Sequence, residues 1–498
     1  MSDQNYLKPA FLLVSGRIVS QFAAIVTFLL CARFLTAELF GAFALASAIV
    51  MVLAQLTHVG FHEYILKERL TATDAGSVWI FSLLFGLALG ILIILLAHPM
   101  ALLFGPADIE RLMIWWSVTP IVSAITSVMT GLAYNEERYT PVVCTTISIE
   151  ALSLVSVAFF LWHGLALDAL LIQRLLITVG PALVIWVVLR YPIPFKADRA
   201  ECWRIFHFAK HLSYSHFIGF GSNYGADMAL GFVAGPAATG LYRFGARIVI
   251  AISTVSNMPL STLAWTNFSK VKNDAHAVGR RIDKFLPAIT LVAGVPLAGL
   301  AVIADPLITR VAPAEWQASI IVVQILALIG AVRIALTVTV GPALGVIGQE
   351  RWIAIIRLIN AIFAIGAILI LARYGVTAAA LSQLVPALVI IPLSIYLLRK
   401  HAGINVWRWF RSLAVGAMAS AAMWGGVHLA SWLLAPLHTL LYLPALMVIG
   451  AAIYIPLIFL LAPVEARWFV NQAITASPEP ISRFIDQKVA APFGLKQD

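Results

Sequence analysis

Fourteen long apolar segments follow one another along this 498-residue chain, and they restrict its fold more than any other feature. Each is about 20 residues or longer, the length that an α-helix needs to cross the hydrocarbon core of a bilayer. A helix satisfies its own backbone hydrogen bonds in lipid, and the short alternating segments of a transmembrane β-barrel do not occur in this sequence. Charged residues make up only 11% of the chain, against about 25% in soluble domains. The sequence therefore predicts an all-α integral membrane protein.

The predicted spans are bounded by charged residues, proline and glycine. They cover residues 9–32, 38–62, 76–104, 112–133, 141–163, 166–189, 211–234, 237–262, 283–304, 316–340, 352–372, 376–398, 409–434 and 438–462. The first of them contains a charge and is too long for the apolar region of a cleaved signal peptide, so we expect it to remain as a transmembrane helix.

Lysine and arginine in the loops predict the orientation, because they concentrate on the cytoplasmic side. With the N-terminus inside, the cytoplasmic loops and tail hold 23 of these residues, and the external loops hold only Arg33, Arg111, Arg310 and Arg373. A miscounted helix would invert every later loop and remove this contrast, so we expect both termini in the cytoplasm. The longest loops, 190–210 and 263–282, are basic; they determine topology or lie along anionic headgroups. The dispersed charge argues against a nucleic-acid partner.

A short repeat divides the chain. Gly41-Ala42-Phe43 begins the second predicted span and Gly240-Leu241-Tyr242 begins the eighth, 199 residues later. Transporters are often built from such repeated halves. We therefore predict an N-terminal lobe of six helices over residues 1–190 and a second six-helix lobe over 191–400. Two extra helices over 401–463 and a cytoplasmic tail over 464–498 complete the chain.

Six arginines lie at least one helical turn inside predicted spans, and no lysine lies that deep. A charge at the bilayer centre costs about 2.5–3.5 kcal/mol on insertion scales, so such residues normally face a bundle interior or an aqueous cavity. The arginine fork also suits bidentate contact with phosphate. We expect five of them to line a basic cavity that binds an anionic substrate, with structural ion pairing as the alternative for any one: Arg17, Arg174, Arg243, Arg247 and Arg333. The sixth, Arg357, lies near a span end and is expected to reach the interface.

Two acidic residues, Glu150 and Asp227, lie as deep as these arginines. Either they pair with a neighbouring arginine, or they couple transport to a cation. A proton or a sodium gradient would then drive transport, and the residues leave that choice open. The sequence shows no metal-ligand spacing, and we expect neither a metal nor a cofactor.

Two segments resemble a known family. Residues 32–50 (ARFLTAELFGAFALASAIV) and 225–249 (GADMALGFVAGPAATGLYRFGARIV) are similar to the two halves of the polysaccharide transporter branch of the multidrug/oligosaccharidyl-lipid/polysaccharide exporter (MOP) superfamily. Residues 259–274, 306–333 and 341–352 resemble its later segments, so the likeness spans most of residues 10–400. One departure is Thr36-Ala37, where the first-half motif usually has Gly-Pro.

The resemblance implies a V-shaped, two-lobed flippase of the bacterial inner membrane. By alternating access, it would move undecaprenyl-pyrophosphate-linked oligosaccharide to the periplasmic leaflet for lipopolysaccharide or exopolysaccharide synthesis. Its expected partners are this lipid-linked oligosaccharide, membrane lipids, and the polymerase and glycosyltransferases of the pathway. Asp227 matches an acid that recurs in the family's seventh helix.

Other functions compete with this interpretation. A peptidoglycan lipid-precursor flippase shares the substrate chemistry, whereas a drug/cation antiporter of the same superfamily should have an acidic cavity. A membrane glycosyltransferase or polymerase should carry a large external loop or an external acidic pair, and only Asp108 and Glu110 lie close together in a short external loop. We therefore expect a transporter and not an enzyme.

Overall fold

The structure is a computed structural model that describes residues 4–58, 60–72, 74–192, 194, 198–271, 274–435 and 438–476. Within these residues the backbone is helical apart from short connections, and it contains no β-strand. The α-helices are α1 (Gln4–Phe34), α2 (Ala37–His58), α3 (Phe61–Glu68), α4 (Gly76–Phe104), α5 (Asp108–Trp116), α6 (Thr119–Asn135), α7 (Tyr139–Trp162), α8 (Ala166–Leu189), α9 (Arg199–Ser269), α10 (Ala275–Ala293), α11 (Val295–Val311), α12 (Ala318–Val346), α13 (Glu350–Leu371), α14 (Val376–Leu381), α15 (Leu384–Ala402), α16 (Val406–Leu433), α17 (Thr439–Leu461) and α18 (Pro463–Ala476).

Twelve helical stretches of the described residues are long and apolar enough to cross a membrane. One of them, Tyr224–Ser269, is 46 residues long and contains both the end of the predicted seventh span and the predicted eighth. The first predicted span lies in α1, which includes the shorter apolar stretch Val19–Phe34. Every predicted span thus overlaps a helix, and the predicted all-α membrane fold is confirmed.

The same repeat position interrupts the helix in both halves. Thr36 separates α1 from α2, and its hydroxyl accepts a hydrogen bond from the Leu39 N–H at 3.3 Å. The residue 199 positions later, Gly235, kinks α9 with φ 80° and ψ 177°. A glycine adopts positive φ without steric cost, and Pro236 after it suits the first turn of the following helix.

Three predicted boundaries were wrong, all beside the longest basic loops. Helix α9 already begins at Arg199 and continues to Ser269, and α10 begins at Ala275, eight residues before the predicted span. Asp274 explains the second start, because its carboxylate accepts a hydrogen bond from the His276 N–H at 2.9 Å and so caps α10. Bonds from backbone N–H groups hold the pKa of this carboxyl below its usual range. The predicted spans end where charged residues begin, so the basic helix ends that extend beyond the apolar segments were predicted to be loops.

The helices form two compact units. The first comprises Met1–Ala251, Val311–Val322 and Arg357–Pro386. Its core includes a cluster in which α3, α4, α6 and α8 pack together, with Phe61, Ile65 and Trp79 almost completely buried. Because contacts rather than the repeat define these units, the lobes at 1–190 and 191–400 stay a prediction.

The second unit comprises Ile252–Arg310, Val323–Ile356 and Ala387–Asp498. Its core lies where α16 packs against α10 and α17. The Tyr454 hydroxyl donates a hydrogen bond to the Leu291 carbonyl at 2.9 Å, which gives the buried phenol the partner that it needs. Helix α18 packs against α10 and α17 at one end of this unit.

Inside the first unit, the two repeat glycines meet. A Cβ atom built on Gly41 would lie 1.8 Å from the Pro236 carbonyl oxygen, and one built on Gly240 would lie 2.0 Å from the Ala37 carbonyl oxygen. The two contacts are related by the repeat itself, since 199 residues separate both Gly41 from Gly240 and Ala37 from Pro236. Only glycine permits backbones to approach this closely. The crossing holds the start of α2 against the part of α9 that carries Arg243 and Arg247.

Candidate functional site

A cavity of about 180 Å³ lies in the first unit among α1, α2, α7, α8 and α9. Glu150 from α7, Arg174 from α8, and Arg243 and Arg247 from α9 all line it. The structure thus brings together three of the five arginines and one of the two acids that the sequence singled out. They come from three helices, so their proximity depends on packing and not on sequence spacing.

Arg243 and Asp227 form a buried ion pair. The Arg243 Nη1 atom donates to the Asp227 carboxylate over 2.5 Å, and the Asp227 side chain is only 2% exposed. The two residues are 16 positions apart on opposite sides of the Gly235 kink, which folds the chain so that they meet. Arg243 also donates a hydrogen bond to the Tyr224 hydroxyl oxygen, and the centre of the Tyr224 ring lies 5.0 Å from the guanidinium carbon. Pairing, one of the two interpretations proposed for Asp227, accounts for its burial.

Arg247 is held differently. Its guanidinium lies 5.6 Å from the centre of the Phe28 ring, a cation–π distance. Among the residues that the structure describes, nothing accepts a hydrogen bond from its buried Nε atom. Arg247 also lies one helical turn from Arg243, on the same face of α9. This arginine therefore keeps a donor for which the described protein supplies no acceptor.

The remaining charged residues of the cavity are Arg174 and Glu150. Arg174 contacts the sulfur of Met51. Glu150 is hydrogen-bonded by Ser20 and is close enough to Arg174 and Arg247 to feel their charge. It forms no salt bridge with any described residue. With one carboxylate lining it and Asp227 already paired to Arg243, the cavity carries an excess of positive charge.

The other three arginines that the sequence singled out are not among the described lining residues. The side chain of Arg17 lies outside the described residues, although its backbone is part of α1. Arg333 belongs to the second unit and does not line the cavity. Arg357 is exposed on α13. The roles predicted for Arg17 and Arg333 stay predictions.

The sequence reasoning missed the polar residues that complete the lining. Gln21 and Ser47 line the cavity, and in the described part of the chain the Gln21 Oε1 and Ser47 Oγ atoms are buried without a hydrogen-bond partner. Gln173, also in the lining, donates a hydrogen bond to Thr27 at 3.3 Å. Glutamine in the middle of an apolar span was the available signal, because an amide in lipid must find a polar partner.

Comparison with known proteins places this fold in context. A family model described as polysaccharide biosynthesis protein matches residues 30–321, more than half of the chain. No curated protein matches the sequence significantly. The predicted resemblance, which rested mainly on residues 32–50 and 225–249, is thereby confirmed.

Several solved structures have a similar fold. A lipid II flippase, MurJ, in an inward closed conformation superposes with a TM-score of 0.72 at 12% identity, covering 91% of this chain and 98% of that chain. An inward-facing multidrug resistance transporter of the MATE family gives 0.64 at 14%, covering 77% and 94%. A MOP superfamily transporter from Pyrococcus furiosus, described as having a binding pocket of reversed polarity, gives 0.53 at 14%, covering 80% and 96%. At these identities the likeness concerns the fold. The chain belongs to the polysaccharide biosynthesis protein family and has the fold of MOP superfamily flippases and transporters.

Proposed function

We propose that this protein is a flippase that moves undecaprenyl-diphosphate-linked oligosaccharide from the cytoplasmic to the periplasmic leaflet of a bacterial inner membrane. The observation that carries the proposal is the cavity in which Arg174, Arg243 and Arg247 outnumber the carboxylates. Membership of the polysaccharide biosynthesis protein family supports a glycan as the cargo. The lipid carrier is inferred from the positive charge, because a diphosphate supplies the acceptors that a buried guanidinium needs.

The three arginines have different roles in this proposal. The ion pair with Asp227 fixes the Arg243 side chain. Arg243 therefore positions the site and contributes positive potential to it, rather than free hydrogen-bond donors. Arg247 and Arg174, which no described carboxylate pairs, bind the diphosphate directly. The unpartnered Nε of Arg247 is the donor that a phosphate oxygen would accept from.

The size of the cavity limits which part of the substrate it holds. At about 180 Å³ it is smaller than the roughly 300–1,000 Å³ of pockets for drug-sized ligands. We infer that it receives the diphosphate, with the sugars and the polyprenyl chain outside it. For the bound diphosphate to shift the equilibrium between the inward-open and outward-open states, the site must bind it with a different affinity in each, because equal affinity shifts no equilibrium.

Glu150 is the better candidate for ion coupling. Asp227 is committed to Arg243, whereas Glu150 has only a hydroxyl partner beside two arginines. In its charged form Glu150 competes with the diphosphate for Arg174 and Arg247. Protonation or cation binding at Glu150 would relieve that competition when the substrate enters. The coupling ion is a proton or sodium in this proposal.

The test compares arginines inside and outside the cavity. Purified protein is reconstituted into vesicles with fluorescent undecaprenyl-diphosphate oligosaccharide, and the fraction that reaches the other leaflet is measured. We expect Arg247→Gln to slow transport about tenfold or more, since a charge-assisted hydrogen bond contributes about 1.5–3 kcal/mol. Arg174→Gln should act similarly, and Arg357→Gln, on an exposed arginine of α13, should transport normally. Equal rates in all three variants would refute the proposed role of the cavity.

Lipid II transport is the second candidate, and the extent of the structural match to the lipid II flippase favours it. The same vesicles discriminate the two when lipid II replaces the oligosaccharide. We expect the undecaprenyl-diphosphate oligosaccharide to be moved faster. Faster movement of lipid II would make the protein a peptidoglycan-precursor flippase. Growth of the glycan in the presence of a sugar donor would instead identify an enzyme.

A further inference from the structure

A second basic cavity lies in the second unit, where the end of α9, the start of α10 and helix α18 meet. Its volume is about 460 Å³. Of the described residues, three cationic ones line it, Lys270, Arg281 and Lys284, and the described lining includes no acidic side chain. Among the described residues, none of the three takes part in a salt bridge. The cavity therefore presents positive charge that the described protein does not neutralise.

Arg281 is fixed by neutral groups. Its Nη1 atom donates to the Asn267 backbone carbonyl at 2.5 Å and to the Asn267 Oδ1 atom at 2.9 Å. No described residue is a further partner for its Nε or Nη2 atom. Those two atoms form the edge of the guanidinium that binds two phosphate oxygens side by side. The side chain is thus oriented without losing its charge or this edge.

One residue of the cavity lining, Trp468, belongs to an aromatic cluster. Phe268 and Phe285 pack edge to face with their ring centres 5.3 Å apart, and Phe285 packs in the same way against Trp468 of α18 at 5.9 Å. Tryptophan concentrates at the level of the lipid headgroups, where its ring is in an apolar layer and its N–H reaches a polar one.

The position along the chain also fits the membrane boundary. One apolar stretch ends at Ser269, the residue before Lys270, and the next begins at Ala275. The loop charges assign this end to the cytoplasmic face. Buried Ala466 and Val470 attach α18 to the unit, so a helix lies beside the cavity where the spans end. A membrane-facing ligand of this site must therefore be a headgroup and not an acyl chain.

From this arrangement we propose that the cavity binds the phosphate of a lipid headgroup in the cytoplasmic leaflet. Lys270 and Lys284 supply point charges, Arg281 supplies the bidentate contact, and Trp468 packs beside the glycerol or isoprenoid portion next to the phosphate. Both a bilayer phospholipid and a polyprenyl diphosphate carry this chemistry. The site is separate from the arginine cavity of the first unit, and binding here does not require that the protein is a flippase.

The test measures lipid binding by the full-length protein purified in a neutral detergent. The probes are dioctanoyl phosphatidylglycerol, farnesyl diphosphate and, as an uncharged comparison, dioctanoyl phosphatidylcholine. Lys270→Gln with Lys284→Gln removes two exposed charges from the cavity. Each basic residue near the membrane surface typically strengthens the binding of an anionic lipid about fivefold. The double variant should therefore bind the anionic probe roughly thirtyfold more weakly. The matched control is Arg408→Gln with Arg411→Gln, two exposed arginines of α16 in the same unit.

The outcomes separate the two sources of phosphate. Weaker binding of phosphatidylglycerol in the cavity variant alone supports the proposal with a bilayer phospholipid as the ligand. If the cavity variant binds farnesyl diphosphate more weakly but phosphatidylglycerol as before, the proposal is supported with a polyprenyl diphosphate as the ligand. Equal weakening in the control variant, or no weakening in the cavity variant, would overturn the proposal. Asn267→Leu, which leaves all charges in place but releases Arg281, should weaken binding several-fold; unchanged binding would remove Arg281 from the site.

Discussion

The two repeat segments of the first unit, residues 32–50 and 231–249, make the same contact but carry different charges. Gly41 and Gly240 occupy equivalent positions, and each lies against the carbonyl group four residues before the other. The charged residues have no such symmetry. At the same offset of 199 residues, Phe28, Ala44 and Ala48 stand where the second half has Asp227, Arg243 and Arg247.

This difference separates two constraints. The helix crossing is a backbone contact, and it needs glycine on both sides because either partner with a Cβ atom would block the approach. The charged site needs only one copy of Arg243 and Arg247, and the equivalent positions of the first half supply space and an aromatic surface for them. Ala44 lines the cavity, and the Phe28 ring lies under Arg247. The repeat therefore provides an equivalent frame around a site that is itself asymmetric.

The largest effect is expected when Arg243 loses its buried ion-pair partner, Asp227. Asp227→Asn leaves Arg243 buried without a counter-charge, and breaking a buried pair in this way typically costs about 3–5 kcal/mol. The free energy of unfolding in detergent measures the loss. Asp168→Asn is the matched control, because Asp168 also pairs with an arginine, Arg111, but near the surface, where a pair contributes about 0–1 kcal/mol. Similar losses in the two variants would show that Arg243 does not depend on Asp227.

The second-largest effect is expected at the helix crossing of Gly41 and Gly240, where the two halves make equivalent contacts. Gly41→Ala and Gly240→Ala each place a methyl group against a carbonyl oxygen of the opposite helix, so each should destabilise the protein by about 1–3 kcal/mol through overpacking. The two losses should be similar, because the contacts are equivalent. Gly366→Ala is the control: it lies in α13 of the same unit with open space around its Cβ position, and it should be neutral or slightly stabilising. A Gly41→Ala protein as stable as Gly366→Ala would contradict the crossing.

Much of this architecture could be predicted from sequence, because the lipid bilayer imposes simple rules. Apolar length predicted the spans, and the shared Gly41 and Gly240 positions predicted that the halves are related. Thr36 and Gly235 lie between predicted spans and interrupt the helix in both halves. The cost of burying charge predicted that Arg174, Arg243 and Arg247 would face polar surroundings, and all three line one cavity.

What the sequence could not predict depends on packing between distant helices. Asp227 and Glu150 looked alike as buried acids, but only the bend at Gly235 brings Asp227 to Arg243. The start of α10 was missed because Arg280 and Arg281 resemble loop residues, although a helix can extend basic side chains beyond the membrane. The second basic cavity depends on α18, which approaches Lys284 from a segment almost 200 residues later.

The smallest effect concerns the contact between the two halves at the charged site. Phe28→Leu keeps an apolar side chain but removes the ring under Arg247, and a cation–π contact of this kind contributes about 1 kcal/mol. Phe232→Leu, on an exposed phenylalanine of α9, controls for the loss of an aromatic ring.

A double-mutant cycle isolates this contact, because Phe28 also packs against Phe40 and its replacement alone would lower stability for that reason too. If the ring stabilises the guanidinium, Phe28→Leu should cost about 1 kcal/mol more in the wild-type background than in an Arg247→Leu background. The free energies of unfolding of the four proteins give this difference directly. Equal costs in both backgrounds would mean that Phe28 serves only the apolar packing around Phe40. Helix α1 would then pack beside the site without stabilising Arg247.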